Sequence, residues 1–130
     1  MSPHKILVVD DEEQMCKLCG RILRGMGYEA LFARTLAEAR EKLASLERLD
    51  LLVSDLKLPD GHGLDVIAAT RAKFPSAGVM VITGFLDLEL QKERFRSLGV
   101  LENDILTKPF SLDRFEALVR SNLADRKGQL

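Results

Sequence analysis

Short apolar runs alternate with amphipathic stretches along the whole chain, and four of the runs end in a polar residue. Ile6-Leu7-Val8-Val9 leads to Asp10-Asp11, Leu51-Leu52-Val53-Ser54 to Asp55, Val79-Met80-Val81-Ile82 to Thr83, and Ile105-Leu106-Thr107 to Lys108. A continuous apolar run of this length reads as a strand buried on both faces, as in a parallel sheet covered by helices. In an open α/β sheet, ligands bind just beyond the carboxyl ends of the strands. Residues far apart in sequence should therefore meet along one sheet edge. Three carboxylates, a hydroxyl and an ammonium together suit a divalent cation and a phosphoryl group.

The intervening stretches carry the helical period. Residues 11–26 place Met15, Leu18, Cys19, Ile22 and Met26 on one stripe, and Gly27 follows where a left-handed cap is common. Residues 29–34 read as a short second strand. Thr35-Leu36-Ala37-Glu38 is a capping box that opens a helix to about residue 46. Residues 50–55 form the third strand, and Pro59-Asp60-Gly61-His62-Gly63 is a dense turn signal. The third helix, with Leu64, Ile67 and Ala68 inward, stops near Phe74-Pro75. Residues 78–83 form the fourth strand. Residues 86–98 fit a helix least well, because Leu88, Leu90, Phe95 and Leu98 share a face only in part, and Gly99 ends it. Residues 104–108 form the fifth strand. Ser111 caps a last helix with Leu112, Phe115, Leu118 and Val119 inward, and its tail frays from Ala124. Strand–helix alternation at this length implies one α/β domain over 1–130, doubly wound, with residues 1–4 and about 125–130 as flexible ends.

Composition narrows the function. Net charge is -1, so there is no bulk attraction to nucleic acid or to an anionic membrane. No apolar stretch reaches the ~18–20 residues of a bilayer span. Met1-Ser2-Pro3-His4-Lys5 lacks the apolar core of a signal peptide, which makes the cytoplasm the expected location. The sequence shows no helix-turn-helix, no nucleotide-binding loop and no basic face. Cys16 and Cys19 form a C-x-x-C, but a zinc site needs about four ligands and a redox pair sits at a helix start. They read as packing residues.

Asp10, Asp11 and Asp55 would repel one another unless a cation joins them. Mg2+ takes oxygen ligands and keeps waters that substrate oxygens can replace. Asp10-Asp11 could also serve as a helix cap, with Glu12 and Glu13 adding favourable charge, yet that leaves Asp55 unexplained. Asp55 is the expected nucleophile, forming an acyl phosphate. Lys108 supplies a point charge for a phosphoryl oxygen. Pro109 after it belongs to a class of bonds of which a small minority are cis. Thr83 offers a hydroxyl, and Gly84 leaves room beside it.

These residues and their setting resemble the receiver domain of two-component response regulators. The matching text is Ile6-Leu7-Val8-Val9-Asp10-Asp11-Glu12, Val53-Ser54-Asp55-Leu56-Lys57-Leu58-Pro59-Asp60-Gly61, Val81-Ile82-Thr83-Gly84 and Lys108-Pro109-Phe110, with Gly27-Tyr28 also fitting. The resemblance implies a flavodoxin-like (βα)5 fold with strand order 2-1-3-4-5. It implies that Asp55 accepts a phosphoryl group from a sensor histidine kinase or phosphotransfer protein. Asp11, Asp55 and the backbone carbonyl of Lys57 would bind Mg2+, with Asp10 helping through water or from just outside. Thr83 and Lys108 would hold the phosphoryl oxygens. Such a protein is a phosphoacceptor that catalyses its own transfer and slow dephosphorylation, not a turnover enzyme. It switches a downstream effector domain or partner, and commonly dimerises through helix 4, strand 5 and helix 5. Ile105 stands where the family uses an aromatic switch residue, and Val100-Leu101-Glu102-Asn103 looks slightly longer than the usual loop. Signalling is therefore expected to run through the Thr83 loop and residues 86–98, without an aromatic lever.

Three rival functions are weaker. A phosphatase with a nucleophilic aspartate needs an acid two residues on, and Lys57 stands there. A flavin or nucleotide binder places glycines after the first strand, where this chain has Asp10-Asp11-Glu12-Glu13. A degenerate receiver that only docks partners would not need intact acceptor and metal residues.

Overall fold

The computed structural model describes residues 3–84 and 92–128. Along the chain come β1 (Lys5–Val9), α1 (Glu13–Gly25), β2 (Glu29–Ala33), α2 (Leu36–Ser45), β3 (Leu51–Asp55), β4 (Lys57–Leu58), β5 (Gly61–His62), α3 (Gly63–Lys73), β6 (Gly78–Thr83), α4 (Lys92–Ser97), a 3-10 turn (Glu102–Asp104), β7 (Ile105–Thr107) and α5 (Leu112–Gly128). Five parallel strands make one sheet in the order β2-β1-β3-β6-β7. With the small β4–β5 ladder set aside, this is the expected order 2-1-3-4-5.

The apolar runs are continuous because each strand feeds two cores. Leu7, Val9, Leu52, Val79 and Val81 face one side, with Leu36, Leu43, Leu64, Ile67 and Phe95. Ile6, Val8, Leu51, Val53, Met80 and Ile82 face the other, with Cys19, Leu23, Phe115 and Val119. Side chains alternate across a strand, so a strand covered on both faces is apolar at successive positions until its carboxyl end.

Several boundaries differ from the sequence reading for local reasons. α1 begins at Glu13, two residues after Asp11. The Asp10 carboxylate accepts the Glu12 amide at 2.9 Å and holds the chain out of the helix there. Gly27 and Gly99 do take left-handed conformations, at φ 91 and 74. The Thr35 hydroxyl caps the Glu38 amide at 3.0 Å, but the Glu38 carboxylate reaches the Arg34 amide, not that of Thr35. Phe115 and Val119 are buried as expected, whereas Leu112 is 47% exposed. It lies in the first turn of α5, where the chain leaves the sheet. The helix continues to Gly128, past the expected fraying point. Of the expected helix 86–98, residues 92–97 are helical and residues 86–91 lie outside the described residues. The sequence also concealed a basic groove: Lys17, Arg21 and Arg24 from α1 come beside Arg34 after β2.

Tight packing behind the third strand concerns Gly63. A Cβ there would sit 2.1 Å from the Asp55 carbonyl oxygen and 2.8 Å from the Leu56 Cα. Backbone cannot yield as a flexible side chain can. Gly63→Ala is expected to destabilise the fold by about 2–3 kcal/mol, read as a lower urea midpoint.

Candidate functional site

The carboxyl ends of β1, β3, β6 and β7 deliver the site. Asp10 follows β1, Asp55 ends β3, Thr83 ends β6 and Lys108 follows β7. Parallel register sets their heights: Val9 pairs with Ser54, Asp55 with Ile82, and Thr83 with Thr107. The Lys108 amide donates to the Thr83 carbonyl at 2.8 Å and extends the ladder by one step. The Lys108–Pro109 peptide is cis.

Asp10, Asp11 and Asp55 each offer an oxygen within 4.8 Å of the others, the only such group among the described residues. Asp10 and Asp55 are buried, while Asp11 is exposed at the mouth. Lys108 Nζ bridges them, 2.9 Å from Asp55 Oδ2 and 3.4 Å from Asp10 Oδ2. It also lies 3.6 Å from Glu12 Oε1, a partner that the sequence reading assigned only to the helix start. Asp55 Oδ1 accepts the Leu56 amide at 2.7 Å and the Lys57 amide at 3.3 Å. Both carboxylate oxygens of Asp55 are thus held in direction before anything binds.

The charges respond to this crowding. Burial pushes the Asp10 pKa above its ordinary value; the Glu12 amide and Lys108 pull it down, and Asp55 pushes it up again. Burial works against the Lys108 charge, but the Asp55 hydrogen bond and the Asp10 charge outweigh it and hold the pKa above the usual lysine value. By count, three carboxylates face one ammonium here, and oxygen donors in that number suit a cation.

Thr83 is fully buried, and its Oγ1 has no hydrogen-bond partner among the described residues. It is the only buried side-chain polar atom among them left in that state. Such an orphan costs free energy unless some ligand or movement satisfies it. Lys57 stands two residues past Asp55 with its side chain exposed. Beside Lys108 runs an open groove of about 360 Å³, lined by Glu12, Met15, Leu18, Pro109, Phe110 and Leu112. Ile105 is half-buried and packs against the core on the α2–α4 side. Cys16 and Cys19 are free buried thiols; burial, then the nearby Asp10, pushes them up to about 11 and about 12. They stay protonated at neutral pH and serve packing, although Cys16 Sγ also donates to the Asp10 carbonyl at 3.3 Å.

A doubly wound parallel sheet thus carries an acidic cluster and a bridging lysine at its carboxyl edge. The model of the response regulator receiver domain matches residues 6–120, and the chain belongs to that family. Response regulator protein PilR of Pseudomonas aeruginosa is 37% identical over 123 residues, which cover 95% of this chain and 27% of that protein. The swarming motility regulation protein RssB of Serratia marcescens is 34% identical, over 89% of this chain and 51% of its own length. The chain thus spans about a quarter to a half of these relatives. Among solved structures, a CheY-like receiver domain protein of Methanospirillum hungatei superposes with a TM-score of 0.89 at 25% identity, over 99% of this chain and 100% of that one. The beryllofluoride-activated NtrC4 receiver domain dimer gives 0.79 at 31% identity, over 93% of this chain and 97% of that one. The chain is a two-component signalling protein by family, and no described helix is long and apolar enough to cross a membrane.

Two substitutions probe the site. Thr83→Val replaces an orphaned hydroxyl with a methyl of similar shape and should raise stability by about 1 kcal/mol in urea unfolding. Asp10→Asn should raise the melting temperature by a few degrees in Mg2+-free buffer at neutral pH. The folded chain holds the Asp10 proton more tightly than the unfolded chain does. Ionised Asp10 therefore costs stability, and the cost grows as pH rises from the ordinary 3.8 through the raised value. The gain from Asp10→Asn should fade as the pH is lowered across that window.

Proposed function

We propose that this chain is a single receiver domain that takes a phosphoryl group onto Asp55 in a Mg2+-dependent reaction. The donor is the phosphohistidine of a sensor histidine kinase or phosphotransfer protein. The observation that carries the reading is the Lys108 bridge to Asp55 Oδ2 at 2.9 Å inside the Asp10, Asp11 and Asp55 cluster. Asp11, Asp55 and the Lys57 backbone carbonyl are the direct ligands assigned to the ion, with Asp10 beside them. Bound Mg2+ supplies neutralisation of the charge on the incoming phosphoryl group.

Asp55 provides the nucleophilic oxygen. An O–P bond forms as the P–N bond to the donor imidazole breaks, and that bond's electron pair leaves with the imidazole nitrogen. The Leu56 and Lys57 amides keep the carboxylate from turning away. Lys108 is close enough to exchange Asp55 for a phosphoryl oxygen as charge builds there. The Thr83 hydroxyl donates to another phosphoryl oxygen, which would end its lack of a partner.

The output then runs through the Thr83 segment to a downstream effector domain or partner, in the cytoplasm. Half-buried Ile105 packs against the core already and supplies no aromatic swing. A homodimer through α4, β7 and α5 is the arrangement we assign to the active form; the dimeric state of the activated NtrC4 receiver supports it.

Incubation with Mg2+ and acetyl phosphate, followed by intact-mass analysis, tests the reading. A mass gain of one phosphoryl group is expected, lost in Asp55→Asn and on chelation of Mg2+. Absence of any gain in the wild-type chain would leave only a phosphorylation-independent docking module.

A further inference from the structure

The turn between β4 and β5 is tied to a helix that takes no part in the site. Asp60 Oδ1 accepts the Leu36 amide at 2.7 Å, and Asp60 Oδ2 accepts the Ala37 amide at 3.0 Å. These are the first two residues of α2. A helix start leaves its first amides without internal partners, and here a carboxylate from a distant turn takes both. The bonds are charge-assisted, and they hold the Asp60 pKa below its ordinary value although the side chain is exposed.

The same turn is pressed onto α2. A Cβ on Gly61 would lie 2.4 Å from Leu36 Cδ2, so the hairpin backbone sits directly over the Leu36 side chain. Lys57 and Leu58 pair back onto His62 and Gly61. The Gly63 amide donates to the Leu56 carbonyl at 2.7 Å. This fixes residues 56 to 63 as one unit, and that unit carries the two amides that hold Asp55 Oδ1.

A second tie leaves the same region of α2 toward the other half of the cluster. Arg34 Nη2 donates to the Asp11 carbonyl at 3.2 Å, and the Arg34 amide is held by Glu38 of α2 at 3.0 Å. The start of α2 thus stands between the segment of Asp11 and the segment of Asp55.

We propose that Asp60 is a positioning residue for the metal site, fixing the β3–α3 connection on the first turn of α2 so that the Asp55 carboxylate and the Lys57 backbone are set before the cation arrives. It rests on the assignment of Mg2+ to this cluster. Without Asp60, the connection would populate other conformations, and binding affinity falls in proportion to the competent fraction.

Calorimetric titration of the full chain with Mg2+ tests this for the wild type, Asp60→Ala and Asp60→Asn. Asp60→Ala should weaken Mg2+ binding about three- to tenfold, the size expected for losing a helix cap. Asp60→Asn keeps one carbonyl acceptor and should fall between the two. Faster hydrogen exchange at the Leu36 and Ala37 amides should accompany the loss. Phosphorylation by acetyl phosphate should slow at limiting Mg2+ and recover at saturating Mg2+. Unchanged Mg2+ affinity in Asp60→Ala overturns the proposal, and so does a phosphorylation defect that saturating Mg2+ does not repair. A wild-type chain that binds no Mg2+ would instead defeat the assignment of the cation itself.

Discussion

Like-charge repulsion among Asp10, Asp11 and Asp55 is the constraint around which this molecule is organised. Three carboxylates with oxygens within 4.8 Å of one another need a positive partner, and Lys108 bridges the two buried ones. Lys108 reaches them because β7 pairs with β6 and the ladder continues to the Thr83 carbonyl. Burial adds to the difficulty: it is the main reason that Asp10 holds its proton more tightly than an isolated aspartate, with Lys108 pulling the other way and the Asp55 charge a smaller push. Three carboxylates against one ammonium suit a divalent cation, and Lys108 lies where it can follow negative charge.

The scaffold keeps this strained cluster at a defined place. A slip of one residue would move every side chain of a strand into the opposite core, whose packing it does not match. Their ends are thus fixed to the height that the register sets. The connections are steadied from outside the sheet, by the Glu12 and Leu56 amides on the carboxylates, by Arg34 on the Asp11 carbonyl and by the first turn of α2 on Asp60. Thr83 is the exception, buried with a hydroxyl that has no partner among the described residues. An unsatisfied group beside a satisfied network is where a bound anion would produce the largest change.

Much of this was legible in the chain. The apolar runs gave the strands, their polar ends gave Asp10, Asp55, Thr83 and Lys108, and alternation gave a parallel sheet, while the strand order followed from the family resemblance. Those signals are local, and each depends on side-chain period. Glu12 facing Lys108 was not legible, since an acidic residue at a helix start has a sufficient local explanation. Nor was Asp60, which read as a turn residue while its carboxylate caps a helix that begins 24 residues earlier. The exposure of Leu112 escaped for a similar reason: helical spacing defines a face, but not where the helix departs from the sheet.

The sequence by itself determined the inventory: which residues end the strands, which carry charge, and that the sheet is covered on both sides. It could do so because strand and helix periods are properties of consecutive residues. Tertiary structure alone decided who meets whom. The bond from Lys108 to Asp55 spans 53 positions and that from Arg34 to Asp11 spans 23. It also left the Thr83 hydroxyl without a partner among the described residues and placed Ile105 against a core. Contacts of that kind depend on register and on the docking of helices across the sheet, which no local pattern encodes.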